Sequence, residues 1–141
     1  PVGSLPIAVL DGALPALELD FVVPHMGTVQ KAAVRVSITH PWVSDLDISL
    51  AGPGQALPGT MLSSDNGADG DNYTDTIFIE GALLAIDDGD PPFTGTFEPE
   101  GDLGGYVGTS PFGVWTLSID DDTVNDVGIV TFAGLALCIT P

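Results

Sequence analysis

Basic residues are nearly absent: 2 Lys and Arg stand against 20 Asp and Glu in 141 residues, a formal net charge of −18. Such a chain repels the phosphates of DNA and RNA, which excludes nucleic-acid binding. The same repulsion excludes an anionic membrane surface. Long apolar runs are missing too; none approaches the roughly 18 residues of a membrane-spanning helix, so membrane insertion is not expected. No basic segment followed by an apolar stretch marks a secretion signal, and any such signal lies outside this sequence. A single cysteine, Cys138, leaves no internal disulfide. Set in Leu135-Ala136-Leu137-Cys138-Ile139, it reads as a small packed thiol. Aromatic residues make up only 7 %, too few exposed rings for a sugar-cleaving cleft. There is no Gly-x-Ser-x-Gly elbow, phosphate-binding glycine loop, zinc spacing or redox pair.

What is present is turn chemistry between short apolar runs. Gly 18 and Pro 12 are high, and no apolar helical period persists for several turns. Ile7 to Leu10 and Leu17 to Val23 read as short strands, with Pro15 and Pro24 as breaks. In Val29 to Thr39, Val34, Val36 and Ile38 share one face and Arg35, Ser37 and Thr39 the other. Pro41 ends that strand by removing a donor. Asp45 to Leu50 puts Leu46, Ile48 and Leu50 inward, with Asp45, Asp47 and Ser49 outward. Asp65 to Thr74 is a polar loop, Thr76 to Ile79 a strand, Asp87 to Pro92 another loop, and Phe93 to Phe97 a further strand. Trp115-Thr116-Leu117-Ser118-Ile119 alternates as a half-buried strand and leads into Asp120-Asp121-Asp122, which reads as the turn of a closing hairpin. In its second arm Val130 and Phe132 have even numbers but Leu135, Leu137 and Ile139 odd ones. That change of parity predicts a bulge at Ala133-Gly134. The spacing predicts one all-β domain over residues 1–141, a jelly-roll-like β-sandwich of about eight or nine mostly antiparallel strands. The abrupt start at Pro1 suggests excision from a larger secreted protein.

A hydrolase triad needs a nucleophile, a histidine base and an acid in contact. His25 and His40 both sit at strand ends, where structural roles are expected. The acidic residues invite a hard cation, since calcium takes six to eight oxygen ligands. Asn66 to Asp75 supplies carboxylates, an amide and flexible carbonyls in one loop; it reads either as a calcium site or as a set of Asx turns. Counting from Asp69, Glu80 falls at position twelve of a helix-loop-helix calcium loop. Tyr73 and Thr74 at positions five and six, and β-rich flanks, rule that motif out. The candidate ligands are Asp45, Asp69, Asp71, Asp75 and Glu80, with a second cluster at Asp121, Asn125 and Asp126. The acidic turn is either a solvated connection or part of such a site, and a surface adapted to salt accounts for the charge equally well. Trp42, Trp115 and Tyr106 are candidates for an exposed platform, although Trp115 shares the parity of Leu117 and Ile119 and belongs with the core.

Several segments together resemble one family. Ile38-Thr39-His40-Pro41-Trp42-Val43-Ser44-Asp45-Leu46 is similar to the His-Thr-Trp-x-Gly-Asp-Leu strand of the P domain (P/Homo B domain). This domain follows the subtilisin-like catalytic domain of kexin- and furin-type proprotein convertases. Gly70-Asp71-Asn72 with Thr76 to Ala82 resembles the next block, and Pro92 to Gly101 the segment before the Gly-x-Trp-x-Leu strand, here Gly113-Val114-Trp115-Thr116-Leu117. Asp121, Asp126 and Gly128 match the closing Asp-x-x-x-x-Asp-x-Gly turn. Pro41 stands where the family has Thr, and Ser44 where it has Gly. The resemblance, closest to bacterial secreted members, implies a non-catalytic jelly roll that packs on a subtilisin-like serine protease domain of the same chain. It also implies support for that domain's stability and calcium dependence, an extracellular or cell-surface location, and a monomer when isolated. The alternative is a free-standing binding module for carbohydrate or a surface polymer.

Overall fold

A computed structural model describes residues 4–12 and 15–141. Among these residues nine strands form two stacked sheets. The five-stranded sheet runs β1 (Ile7–Val9), β9 (Gly128–Thr140), β3 (Thr28–Thr39), β6 (Tyr73–Ile79) and β7 (Gly95–Phe97), antiparallel except for the parallel β6–β7 pair. The four-stranded sheet is antiparallel throughout, in the order β2 (Leu17–Val23), β8 (Gly113–Asp121), β4 (Leu46–Ala51) and β5 (Thr60–Ser64). The alternation read from β3, β4 and β8 is what builds the core: Val34, Val36 and Ile38 meet Leu46, Ile48, Leu50, Trp115, Leu117 and Ile119, all at most 1 % exposed. Each such side chain contributes about 1.5–3 kcal/mol on burial. Trp115 keeps its indole N–H satisfied by donating to the Pro111 carbonyl at 2.9 Å.

Several expectations need correction. Asp120–Asp122 does not turn a hairpin: β8 and β9 lie in different sheets, so the acidic turn is a strap between the layers. The β9 bulge falls at Thr131, between the pairs Ser37–Phe132 and Ile38–Val130, one turn of the pleat before the expected place. Phe132 therefore faces outward, under the Arg35 guanidinium, whose carbon lies 5.0 Å from the ring centroid. Cys138 has the same outward parity and is exposed rather than packed. The strand β5 was missed because its apolar residues, Met61 and Leu62, are adjacent and show no alternation; its Ser63 is buried and shares a 3.0 Å hydrogen bond with the Tyr73 hydroxyl. β6 starts at Tyr73 and β7 at Gly95, because Phe93 leaves the ladder at φ 49 to stack on Tyr73, centroids 4.8 Å apart. The expected aromatic platform does not form. Tyr106 and Trp115 are buried edge-to-face at 4.9 Å, and only Trp42 is half exposed.

Asp45 is also not outward, and Ser49, though on the outer face as expected, is buried. Val43–Asp45 makes a single 3₁₀ turn, which takes Asp45 out of strand parity and buries it to 7 % exposure. Ser49 lies beneath the segment carrying Leu57, Pro58 and Met61.

Candidate functional site

Functional side chains concentrate at one end of the sandwich. Here His40 directly follows β3, β4 is preceded by the Asp45 turn, and β8 ends in Asp121. His40 Nε2 and Asp121 Oδ2 are 2.9 Å apart, and both side chains are wholly buried. The Trp42 backbone N–H donates to His40 Nδ1 at 3.1 Å. That nitrogen therefore accepts, and the ring proton sits on Nε2, directed at Asp121. The other Asp121 oxygen accepts the Thr123 N–H at 3.2 Å. Gly128 makes room for the ring: a Cβ there would lie 3.0 Å from His40 Cδ2. The pair bridges the two sheets, since His40 belongs to one layer and Asp121 to the other.

The 65–72 loop closes over this end. His40 N–H donates to Asn72 Oδ1 at 3.0 Å and the Asn72 N–H returns to the His40 carbonyl at 3.1 Å. Val43 and Ser44 donate to the carbonyls of Gly70 and Ala68. Gly67 adopts φ +89, and a Cβ there would meet Val43 and Pro91 within 2.7 Å, so only glycine fits the approach. Asp45 completes the cluster. Its ligating atom and those of His40 and Asp121 all lie within 4.8 Å of one another. Burial pushes the Asp45 carboxyl above its ordinary value and the Asp121 charge adds to the push, while His40 and the Thr123 hydroxyl oppose it.

Chemically this end is a scaffold rather than a catalyst's base. Both His40 ring nitrogens are engaged, one by a backbone donor and one by Asp121, so neither is free to take a proton from a nucleophile. For a hard cation the donor set fits in part. Asp45, Asp121 and the neighbouring Asp126, whose charge reaches Asp45, offer carboxylate oxygens; the protonated His40 Nε2 does not.

The other expected ligands are placed elsewhere. Asp69 and Asp71 are exposed on the covering loop. Asp75 is exposed and held by Arg35 at 2.7 Å, which keeps its carboxyl below the ordinary range. Glu80 lies five residues further along, about 16 Å by strand rise, in a third acidic group with Glu98 and Asp102. Its Oε2 is buried without a hydrogen bond, and burial, Glu98 and Asp102 raise its carboxyl. Asn125 exposes its side chain, while its N–H donates to Asp11 Oδ2 at 3.1 Å. Asp45, Asp75 and Glu80 thus do not share one ion. Sequence reasoning left His40 as a generic strand end. The signal was there: a histidine before Pro41 in the block that resembles the P domain.

On the outer face of the four-stranded sheet, Asp47 of β4 stands directly opposite Asp120 of β8, and Glu18 opposite Ser118. They line a cleft of about 330 Å³ with Leu57, Pro58 and Met61, and no aromatic side chain lines it. Asp47 keeps one oxygen buried without a hydrogen bond, and burial foremost raises both carboxyls.

The chain is thus a two-layer β-sandwich with a buried His–Asp clasp at one end. The sequence matches the proprotein convertase P-domain family over residues 29–137, and the chain belongs to that family. Among curated proteins no sequence match is found. Among solved structures it is similar to the serine protease of Aeromonas sobria, with a TM-score of 0.58 and 19 % identity over 97 % of this chain. It is also similar to the same bacterium's serine protease in complex with the chaperone ORF2, with a TM-score of 0.55 and 19 % identity over 99 % of this chain. At that identity the likeness is one of fold. The chain spans 25 % and 22 % of those two protease chains.

Proposed function

We propose that this domain is the non-catalytic accessory part of a secreted, subtilisin-like serine protease and stabilises the catalytic domain beside it. The observation that carries the reading is the His40–Asp121 pair: the one buried histidine–carboxylate couple among the described residues clasps two sheets and has no free nitrogen. Membership of the P-domain family and the length of the similar protease chains support the same reading. Expressing the full-length chain with and without residues 1–141 tests it. Loss of folded, active protease on deletion is expected; unchanged yield and thermal inactivation would refute it.

We further propose that Asp45, Asp121 and Asp126 hold calcium at the clasped end. A bound cation there would supply the positive charge that the crowded carboxylates lack. The test is a thermal melt at low ionic strength with calcium, chelator, or sodium chloride. A calcium-specific rise of several degrees, absent in Asp45→Asn, is expected. An equal rise with sodium chloride would reduce the effect to charge screening.

A further inference from the structure

We infer that the outer face of the five-stranded sheet is the surface on which this domain receives its protease neighbour, and that the neighbour presents an apolar patch with a carboxylate opposite Lys31. The inference rests on the accessory-domain reading and adds to it the face and the partner's chemistry.

Cross-strand register sets out that face. On β3 the outward residues are Lys31, Ala33 and Arg35; Cys138, Ala136 and Gly134 of β9 lie opposite them, with Phe132 opposite Ser37. On the other side Ile79 and Ile77 of β6 pair with Ala33 and Arg35. A solvated face of an antiparallel sheet ordinarily alternates to polar residues. This one is small and apolar at its centre (Ala33, Gly134, Ala136), walled by Ile77, Ile79 and Phe132. Phe132 is 42 % exposed. The centre sinks into two hollows of about 310 and 430 Å³ that share Ala33 and Ala136.

Charge singles out the same place. Lys31 and Arg35 are the only two basic side chains in the sequence. Both are exposed on β3 and lie four residues apart, about 13 Å. Arg35 is engaged by Asp75 and by the Phe132 ring. Lys31 has no carboxylate within ion-pair distance among the described residues. In a domain of net charge −18, Lys31 is the one lysine or arginine outside an ion pair among the described residues, so a carboxylate in an apolar contact finds its charge partner on this face. A second copy is a poorer occupant. A matching face offers Lys31 no free carboxylate, since Asp75 is already held by Arg35.

The unique thiol reports on the face, because Cys138 is exposed beside Lys31. In the full-length protease chain, maleimide labelling of Cys138, followed by peptide mass spectrometry, is compared with labelling of Glu18→Cys on the opposite outer face. Cys138 is expected to react at least tenfold more slowly than Cys at position 18. Lys31→Glu is expected to accelerate Cys138 labelling about tenfold, and Glu18→Lys to leave it unchanged. Equal labelling on the two faces would overturn the inference, as would protection that grows with protein concentration, the mark of a second copy. Deletion of the domain separates the two readings. If deletion destabilises the protease while Cys138 labels freely, the accessory role stands and this docking face falls; if deletion has no effect, the role itself falls.

Discussion

The two outer faces of this sandwich share a backbone pattern and carry opposite chemistry. The four-stranded sheet turns Glu18, Asp20, Asp47 and Asp120 outward, whereas the five-stranded sheet turns out both cations among alanine, glycine and isoleucine. Its one outward carboxylate on the paired strands, Asp75, is neutralised by Arg35. The core requires neither arrangement, since the inward positions are apolar on both sheets. The difference teaches that the core leaves the outer positions free to diverge: one layer gathers carboxylates, the other an apolar centre beside both cations.

The largest test of that contrast attacks the clasp that holds the faces in register. His40→Ala leaves Asp121 buried without its partner, and a loss of about 3–5 kcal/mol is expected in denaturant unfolding. A smaller loss would mean that the sheets are held mainly by the core. Next comes the acidic face. Asp47→Asn removes a like-charge cross-strand contact with Asp120, so a gain of roughly 0.2–1 kcal/mol at pH 7 and low salt is expected, fading as salt is added.

Proton linkage sharpens the same point. Asp47 and Asp120 are raised in the fold, so their contribution is fully present below the unfolded carboxylate value and lost as pH rises through the folded one. The wild-type chain is therefore expected to melt higher near pH ~4–5 than at pH 7, with a smaller difference in Asp47→Asn. A melting temperature that climbs steadily to pH 7 would contradict this. On the opposite face Phe132→Ser is expected to change stability by no more than about 0.5 kcal/mol, because the ring covers no core; a large loss would mark Phe132 as structural. The smallest effect belongs to Arg35→Gln. The Asp75 carboxyl, held down chiefly by the Arg35 hydrogen bond and charge, should titrate higher by NMR. Its stabilising share exists above the ordinary Asp value and disappears as pH falls through the depressed one.

Much of the fold was legible because β-strand parity is local. Val34, Val36 and Ile38, or Trp115, Leu117 and Ile119, declare an inner face within a few residues. β5 was not legible, since Met61 and Leu62 are adjacent and the buried Ser63 is polar, hydrogen-bonded to Tyr73. The β9 bulge was legible in kind but not in place, because Phe132 answers to Arg35 across the sheet and not to its own strand. The candidate site was readable only in pieces. Asp45 and Asp121 were singled out in separate clusters, and the pairing of Leu46 with Asp121 across β4 and β8 is what unites them. Nothing within either segment announces the other.

By itself the sequence determined an all-β, strongly acidic domain with a parity-built core and, through its ordered blocks, its likeness to P domains. These follow from residue type and short-range period, which need no knowledge of partners. Only the tertiary structure decided which carboxylates meet, that the triple-aspartate strap crosses between sheets, that both His40 nitrogens are engaged, and that the two cations stand on one apolar face. Those facts depend on strand pairing between residues tens of positions apart, and pairing is fixed by the collective packing of both sheets rather than by any local segment.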